Sequence, residues 1–132
     1  MFWRMILRHH QIKYGFQIYP ETKIGAGFYL GHWGTLVINP KTKIGKNCNI
    51  SQGVTIAQAN RGRNEGVPEI GDEVWIGPNA VIVGKIKIGN NVLIAPNAYV
   101  SFDVPSNSVV IGNPGQITPK ENATEGYINN KI

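Results

Sequence analysis

Aliphatic side chains recur at every sixth residue along most of this chain, and no other feature limits its fold as strongly. The period holds in three runs: Ile18, Ile24 and Leu30; Ile38, Ile44, Ile50 and Ile56; Ile70, Ile76, Ile82, Ile88, Ile94 and Val100. Six is neither the period of an α-helix nor the simple alternation of a strand. It fits a backbone that turns a corner every six residues and winds into a three-sided coil around a narrow core. Each coil buries its edge only against the next, as in other solenoids.

The residue after each aliphatic is usually small, which fits tight corners between the sides of the coil. These residues are Gly25, Gly31, Gly45, Ser51, Ala57, Gly71, Gly77, Gly89, Ala95 and Ser101. Glycine accounts for 16 of the 132 residues, against a usual share of about 7%. Charged residues make up only 16% of the chain, below the usual share of about 25%. Both departures favour a repetitive fold with covered faces.

We predict a single domain over residues 1–132, in which three segments lie outside the repeat. Residues 1–15 carry apolar side chains at spacings that permit one short helix, which would cap the first coil. The β-helix is predicted over residues 16–117, with residues 57–69 forming a polar extended loop. Residues 118–132 form a polar tail that we expect to fray.

Charge and cysteine content exclude several classes of function. The net charge is +5, but the lysines are scattered and no basic block contains interleaved aromatics, so nucleic-acid binding is not predicted. The chain has one cysteine, Cys48, at an inward position, and therefore no internal disulfide. No signal peptide or membrane-spanning run is present in the sequence, which predicts a cytoplasmic location without membrane insertion.

The repeats resemble those of the hexapeptide-repeat acyltransferases over roughly residues 17 to 117. The motif is an aliphatic, a small residue, two variable positions, a small residue and one more, and about a dozen copies follow in phase. The resemblance implies an all-β fold, a left-handed parallel β-helix, with a short N-terminal helix. It also implies an enzyme, an acetyltransferase that uses acetyl-CoA as co-substrate and no metal.

The first break in the repeat holds Gly31-His32-Trp33-Gly34, and flanking glycines there favour an exposed histidine. The segment resembles the Asp-His-Ala-Thr-Gly stretch of the serine acetyltransferases, whose histidine is the general base. The resemblance implies that His32 takes the proton of an acceptor hydroxyl as it attacks the thioester. Such acid–base catalysis is typically worth about 10²–10⁴-fold. A zinc site of the carbonic-anhydrase type is excluded, because it needs three histidines and only His32 lies within the repeat.

Several departures from the serine acetyltransferases concern the acceptor. Gln17 stands where that family has an aspartate that orients its base, and Glu69 is a candidate to replace that charge. The loop has Gly66-Val67-Pro68 in place of Arg-His-Pro, and Arg61 or Arg63 would have to pair with a carboxylate instead.

Trp33, beside the base, can pack against the apolar face of a sugar or lie at a subunit contact. These differences predict a sugar hydroxyl as acceptor, in surface polysaccharide biosynthesis. The alternatives are a serine O-acetyltransferase and, in another class, a non-catalytic β-helix scaffold subunit.

For the cofactor, the resemblance places the pantetheine arm of CoA in a groove beside small corner residues of stacked coils, here Gly77 and Ala95. The turn Asn113-Pro114-Gly115 resembles the family's closing Gly-x-Pro-Ala turn near the nucleotide of CoA, where Lys120 would meet phosphates. The family assembles as homotrimers with active sites between subunits, and the loop over residues 57–69 would then wall a neighbour's acceptor pocket. The serine enzymes also carry a helical region before the β-helix, so the chain is expected to be either a minimal form or a fragment.

Overall fold

The computed structural model describes all residues from 1 to 132 and consists of one helix followed by fifteen short strands. The elements are α1 (Phe2–Tyr14), β1 (Phe16–Gln17), β2 (Lys23–Ile24), β3 (Tyr29–Leu30), β4 (Leu36–Ile38), β5 (Lys43–Ile44), β6 (Asn49–Ile50), β7 (Thr55–Ala57), β8 (Glu69–Ile70), β9 (Val74–Ile76), β10 (Val81–Val83), β11 (Lys87–Ile88), β12 (Val92–Ile94), β13 (Tyr99–Val100), β14 (Ser108–Ile111) and β15 (Gln116–Pro119).

From β1 to β13, successive strands lie in three different sheets, so that every third strand is a neighbour, and β14 and β15 extend the six-stranded sheet. The five-stranded sheet has the order β1-β4-β7-β10-β13, the four-stranded sheet β11-β8-β5-β2, and the six-stranded sheet β15-β14-β12-β9-β6-β3. All pairings are parallel except that of β14 with β15. The three-sided parallel β-helix with one N-terminal helix, predicted from the six-residue period, is confirmed.

The core is the column of aliphatic side chains that defines the repeat. In the six-stranded sheet, for example, Ile50 pairs with Ile76 and Ile76 with Ile94. Each of these side chains is at most 1% exposed. The stacking places β-branched aliphatics on β-branched aliphatics, which pack well on a pleated surface. Burial of this column is the main favourable term in the stability of the fold.

Glycines after the aliphatic residues allow neighbouring coils to approach closely. A Cβ atom added at Gly45 would lie 2.5 Å from the carbonyl oxygen of Gly71, and one added at Gly71 would lie 2.6 Å from that of Gly89. Such distances are too short for any side chain. The small residue of the motif is therefore required by the contact between successive coils at this corner.

The C-terminal tail is ordered, and the expectation that residues 118–132 fray is wrong. Its first residues complete β15, and Thr124 and Ile128 are almost fully buried. Asparagines at the corners hold it in place, since Asn91 Oδ1 accepts hydrogen bonds from the backbone N–H and the hydroxyl of Thr124 at 3.2 and 2.8 Å. Polar composition was a poor guide because the coils offer amide side chains as partners for polar groups.

The extended loop between β7 and β8 folds back along its own chain. An antiparallel bridge joins Ala59 to Gly66, and Asn64 Nδ2 donates to the Ser101 carbonyl oxygen at 3.0 Å. The single helix, α1, has 13 residues and is too short to cross a lipid bilayer.

The single thiol is buried in the core, as predicted for Cys48, which is fully inaccessible and lies 3.1 Å from the Gly71 carbonyl oxygen. Burial raises the pKa of the Cys48 thiol to about 11. The thiolate is the reactive form, so we expect the folded chain to react with a disulfide reagent at pH 8 far more slowly than the chain in urea. The reaction can be followed by release of the coloured thiol. Equal rates for the folded and unfolded chains would contradict the buried position.

The same thiol predicts the direction of a pH effect on stability. Its pKa is higher in the folded than in the unfolded chain, so the unfolded chain loses its proton first as the pH rises. The free energy of unfolding should therefore fall as the pH rises from about 9 towards 11, and Cys48→Ala should remove that part of the pH dependence.

Candidate active site

The outer face of the six-stranded sheet carries the residues that form the candidate site. Strand pairing aligns Tyr29, Asn49, Trp75, Leu93 and Val109 across this face. Each precedes an inward-pointing aliphatic, and strand alternation therefore turns its side chain outward. The C-terminal tail crosses the same face, and Asn49 Nδ2 donates to the Tyr127 carbonyl oxygen at 3.2 Å.

His32 leaves the coil because the first break in the repeat adds two residues. Leu30 and Ile38 are eight positions apart instead of six, and the extra residues project between β3 and β4. Gly34, at φ 128°, closes the projection by donating its N–H to the Tyr14 carbonyl oxygen at 2.9 Å. Both His32 and Trp33 are exposed as a result, with Trp33 81% exposed.

His32 lines a cavity of about 280 Å³ at this corner, here called the His32 cavity. The other lining residues are Tyr29, Gly31, Asn49, Ile50, Ser51, Trp75 and Tyr127. None of these side chains is charged at neutral pH. The cavity therefore offers one imidazole, amide and hydroxyl groups for hydrogen bonds, and aromatic walls, a set suited to orienting a hydroxyl beside a base.

A second cavity of about 340 Å³, here called the Ala95 groove, lies further along the same face. It is lined by Trp75, Leu93, Ala95, Pro96, Val109, Ile111, Lys120, Ala123 and Tyr127. The structure thus brings together Ala95 and Lys120, two of the residues predicted to bind the cofactor. A mainly apolar groove with one lysine ammonium suits a thin chain that carries phosphates at one end.

Trp75 and Tyr127 line both cavities and form the wall between them. Their ring centroids are 4.8 Å apart and the ring planes are inclined by 58°. The wall places the imidazole cavity and the apolar groove side by side on one face. A ligand in the groove would reach His32 past this aromatic pair.

The other predicted cofactor residues do not line the groove. A Cβ atom added at Gly77 would lie 2.7 Å from the Pro96 nitrogen and 2.9 Å from Trp75 Cζ3, so the space beside Gly77 is already filled. A Cβ atom at Gly115 would lie 2.8 Å from Val110 Cγ1. Asn113 and Pro114 are exposed in the turn between β14 and β15. Within a single chain, Gly77 and Gly115 allow close packing of neighbouring residues. Contacts of Gly77, Asn113, Pro114 and Gly115 with a cofactor stay a prediction.

The residues expected to assist His32 are not brought to its cavity within one chain. Gln17 lines a different cavity, beneath α1. Glu69 lies on the outer face of the four-stranded sheet, with its carboxylate 3.9 Å from Lys43 Nζ. Glu69 and His32 of one chain occupy different faces of the prism, and the role of Glu69 as a partner of His32 stays a prediction.

Arg61 and Arg63 are also distant from His32 along the fold. They lie in the loop that joins the five-stranded to the four-stranded sheet, whereas His32 lies where the six-stranded sheet joins the five-stranded one. The full width of the five-stranded face separates these two corners. Both arginines are exposed, and neither lines the His32 cavity of the same chain.

Sequence reasoning missed Asn49, Trp75 and Tyr127. Asn49 and Trp75 each precede an inward aliphatic residue, so their side chains point outward on the same face of the coil. The six-residue repeat therefore already indicated that these two side chains are neighbours. Tyr127 lies outside the repeat, and no local pattern connects it to His32. The chain holds no group of three or more His, Cys, Asp or Glu side chains arranged to hold a metal ion.

Comparisons with known proteins agree with this architecture. The family described as Bacterial transferase hexapeptide (six repeats) matches residues 68–101. The serine acetyltransferase of Staphylococcus aureus is 39% identical over 112 residues, which cover 85% of this chain and 53% of the relative. The chain thus spans about half the length of the curated relatives that it matches.

Solved serine acetyltransferases have the same fold over most of this chain. That of Neisseria gonorrhoeae superposes with a TM-score of 0.77 and 32% identity, covering 92% of this chain and 48% of that one. A serine acetyltransferase in complex with CoA superposes with a TM-score of 0.76 and 29% identity, covering 86% and 47%.

Proposed function

We propose that this chain, which belongs to the hexapeptide-repeat superfamily of left-handed parallel β-helix acyltransferases, transfers an acetyl group from acetyl-CoA to the hydroxyl of serine. The observation that carries the proposal is the junction of two cavities on one face of the prism. The His32 cavity is lined by an exposed imidazole, and the Ala95 groove beside it is mainly apolar and is also lined by Lys120. An acceptor and a long thioester carrier can therefore meet at the Trp75–Tyr127 wall.

The Ala95 groove would bind the pantetheine arm of acetyl-CoA. Ala95 leaves room where a larger side chain would project into the groove, and Leu93 and Val109 supply apolar contacts along its floor. Lys120 supplies positive charge for the phosphates of CoA. Binding of CoA by a solved serine acetyltransferase with the same fold supports this assignment.

His32 would act as general base and then as general acid. Its imidazole takes the proton of the acceptor hydroxyl while the oxygen attacks the thioester carbonyl carbon. The tetrahedral intermediate then expels the CoA thiolate, and the imidazolium returns the proton to that sulfur. No second nucleophile is needed, and Cys48 is buried with a raised pKa, which makes a covalent acetyl-cysteine intermediate unsuitable.

A homotrimer would complete the site. The loop that carries Arg61 and Arg63 belongs to a different corner from His32, so each acceptor pocket would combine one chain's imidazole with a neighbour's loop. The arginines would then pair with the carboxylate of serine, a bidentate contact that guanidinium groups favour. Trp33, highly exposed in the single chain, would be covered at the same subunit contact.

Serine is favoured over the sugar that the sequence predicted. The named relatives and the solved neighbours described above are serine acetyltransferases, and none of these names includes a polysaccharide. The neutral lining of the His32 cavity is the one feature that fits a sugar equally well. In the serine assignment the missing charges come from the neighbour's loop.

Release of free CoA from acetyl-CoA tests the proposal with L-serine, galactosides and nucleotide sugars as acceptors. We expect L-serine to stimulate release and O-acetylserine to be identified by mass spectrometry. Arg61→Gln with Arg63→Gln should raise the KM for serine while the affinity for CoA stays unchanged. Stimulation by sugars alone would replace the acceptor, and CoA binding without any transfer would favour the scaffold alternative.

A further inference from the structure

The N-terminal helix α1 carries an exposed apolar stripe, whose last residue, Ile12, also borders the cavity beneath α1 together with Arg8. At about 100° per residue, Phe2, Met5, His9 and Ile12 fall within an arc of about 80° on the helix surface. We call these four residues the outer stripe. Phe2, Met5 and Ile12 are 66%, 65% and 73% exposed. Of the half-buried residues, Leu7 and Gln11 lie on the opposite side and Ile6 lies beside the stripe, and no residue of the helix is fully buried.

Basic side chains flank the outer stripe on both sides. Arg8 lies on one side and Lys13 on the other, each roughly 60–80° from the centre of the stripe. The helix contains no acidic residue. Arg4 lies nearer the inner side and pairs with Glu21 at 2.9 Å, so Arg8 and Lys13 remain as cations without an ion-pair partner.

We propose that the outer stripe and its flanking cations dock α1 on an anionic lipid surface. A helix with an apolar stripe between basic residues lies in the plane of a membrane interface, with its apolar side chains at the boundary between headgroups and acyl chains. The guanidinium group of Arg8 and the ammonium group of Lys13 can extend towards lipid phosphates while their alkyl stems stay near the stripe. Phe2, 66% exposed at the start of the stripe, supplies an aromatic side chain of the type enriched at such interfaces.

Charge favours this occupant over a second copy of the same helix. Stripe-to-stripe contact between two copies would bring Arg8 and Lys13 of both chains together, without a carboxylate on either helix to offset them. Anionic headgroups complement the same charges. The net charge of +5 for the whole chain would further attract it to a negative surface.

Co-sedimentation with lipid vesicles tests the proposal without reference to acetyl transfer. One vesicle population contains phosphatidylcholine alone, and the other contains equal parts of phosphatidylcholine and phosphatidylglycerol. We expect the full chain to sediment with the anionic vesicles, to stay in solution with the neutral ones, and to be released as salt is raised. Arg8→Gln with Lys13→Gln should weaken partitioning about 30-fold, and Met5→Gln with Ile12→Gln should weaken it by roughly tenfold or more.

A matched control removes two lysines elsewhere. Lys85→Gln with Lys87→Gln causes the same loss of charge in a later coil, and it should change partitioning much less than the helix variant does. Circular dichroism establishes that each variant is folded. Binding to neither vesicle, or equal binding to both, would overturn the proposal. So would a loss of oligomer size in Met5→Gln/Ile12→Gln without vesicle binding by the parent, because the stripe would then be a contact between copies.

Discussion

Replacing His32 with asparagine is expected to lower kcat for acetyl transfer by about 10²–10⁴-fold while leaving CoA affinity unchanged. Asparagine keeps polarity and similar size but cannot accept and return a proton at neutral pH. His32 lines the acceptor cavity and not the Ala95 groove. The measurement is the rate of thiol release at saturating acetyl-CoA, together with a calorimetric titration of CoA.

A second histidine provides the control for this experiment. His10→Asn removes an exposed imidazole from α1, where the ring stacks on Tyr14 outside the candidate site. Transfer by His10→Asn should match that of the parent. If His32→Asn also keeps its turnover, His32 is not the base and the proposed mechanism fails. If the variant instead loses CoA binding, the two cavities are not separate in function.

Ala95→Trp is expected to weaken CoA binding by about 100-fold or more, since the indole would occupy the groove proposed for the pantetheine arm. The position is preferable to Gly77, where any side chain would collide with Pro96 and Trp75 and would disturb the coils themselves. Isothermal titration with CoA gives the dissociation constant directly. The thermal unfolding midpoint identifies any loss that comes from misfolding.

Ala95→Ser is the matched control at the same corner. Serine adds a single oxygen and keeps the groove open, so its CoA affinity should stay within a few-fold of the parent. Normal affinity in the folded Ala95→Trp variant would mean that CoA binds elsewhere on the prism. That result would remove the groove from the proposal but would leave the assignment of His32 to be tested by itself.

Much of the candidate site followed from local sequence, because the repeat fixes the direction of each side chain. A six-residue step places one aliphatic inward per side, and the extra residues between Leu30 and Ile38 had to leave the coil. That argument alone predicts that His32 and Trp33 are exposed, and both are exposed in the structure. Ala95 and Lys120 also line one groove, and their contacts with CoA stay a prediction.

The segments without a period were harder to predict from the sequence. The tail was expected to fray because it is polar, yet corner asparagines bind it through groups that become partners only after the coils have stacked. Glu69 was a candidate partner for His32 because no local pattern states which face of the prism a strand joins. Its position on the four-stranded face follows from counting strands through the extended loop.

The sequence by itself determined the winding of the backbone, the aliphatic core and the corner that projects His32, since each depends on a pattern repeated within a few residues. Only the tertiary structure decided that Tyr127 packs on Trp75, that two cavities share this wall, and that Arg61 and Arg63 lie across a full face from the imidazole. Those features join residues far apart in the chain. Their contacts exist only when stacked coils and the tail hold both partners in place.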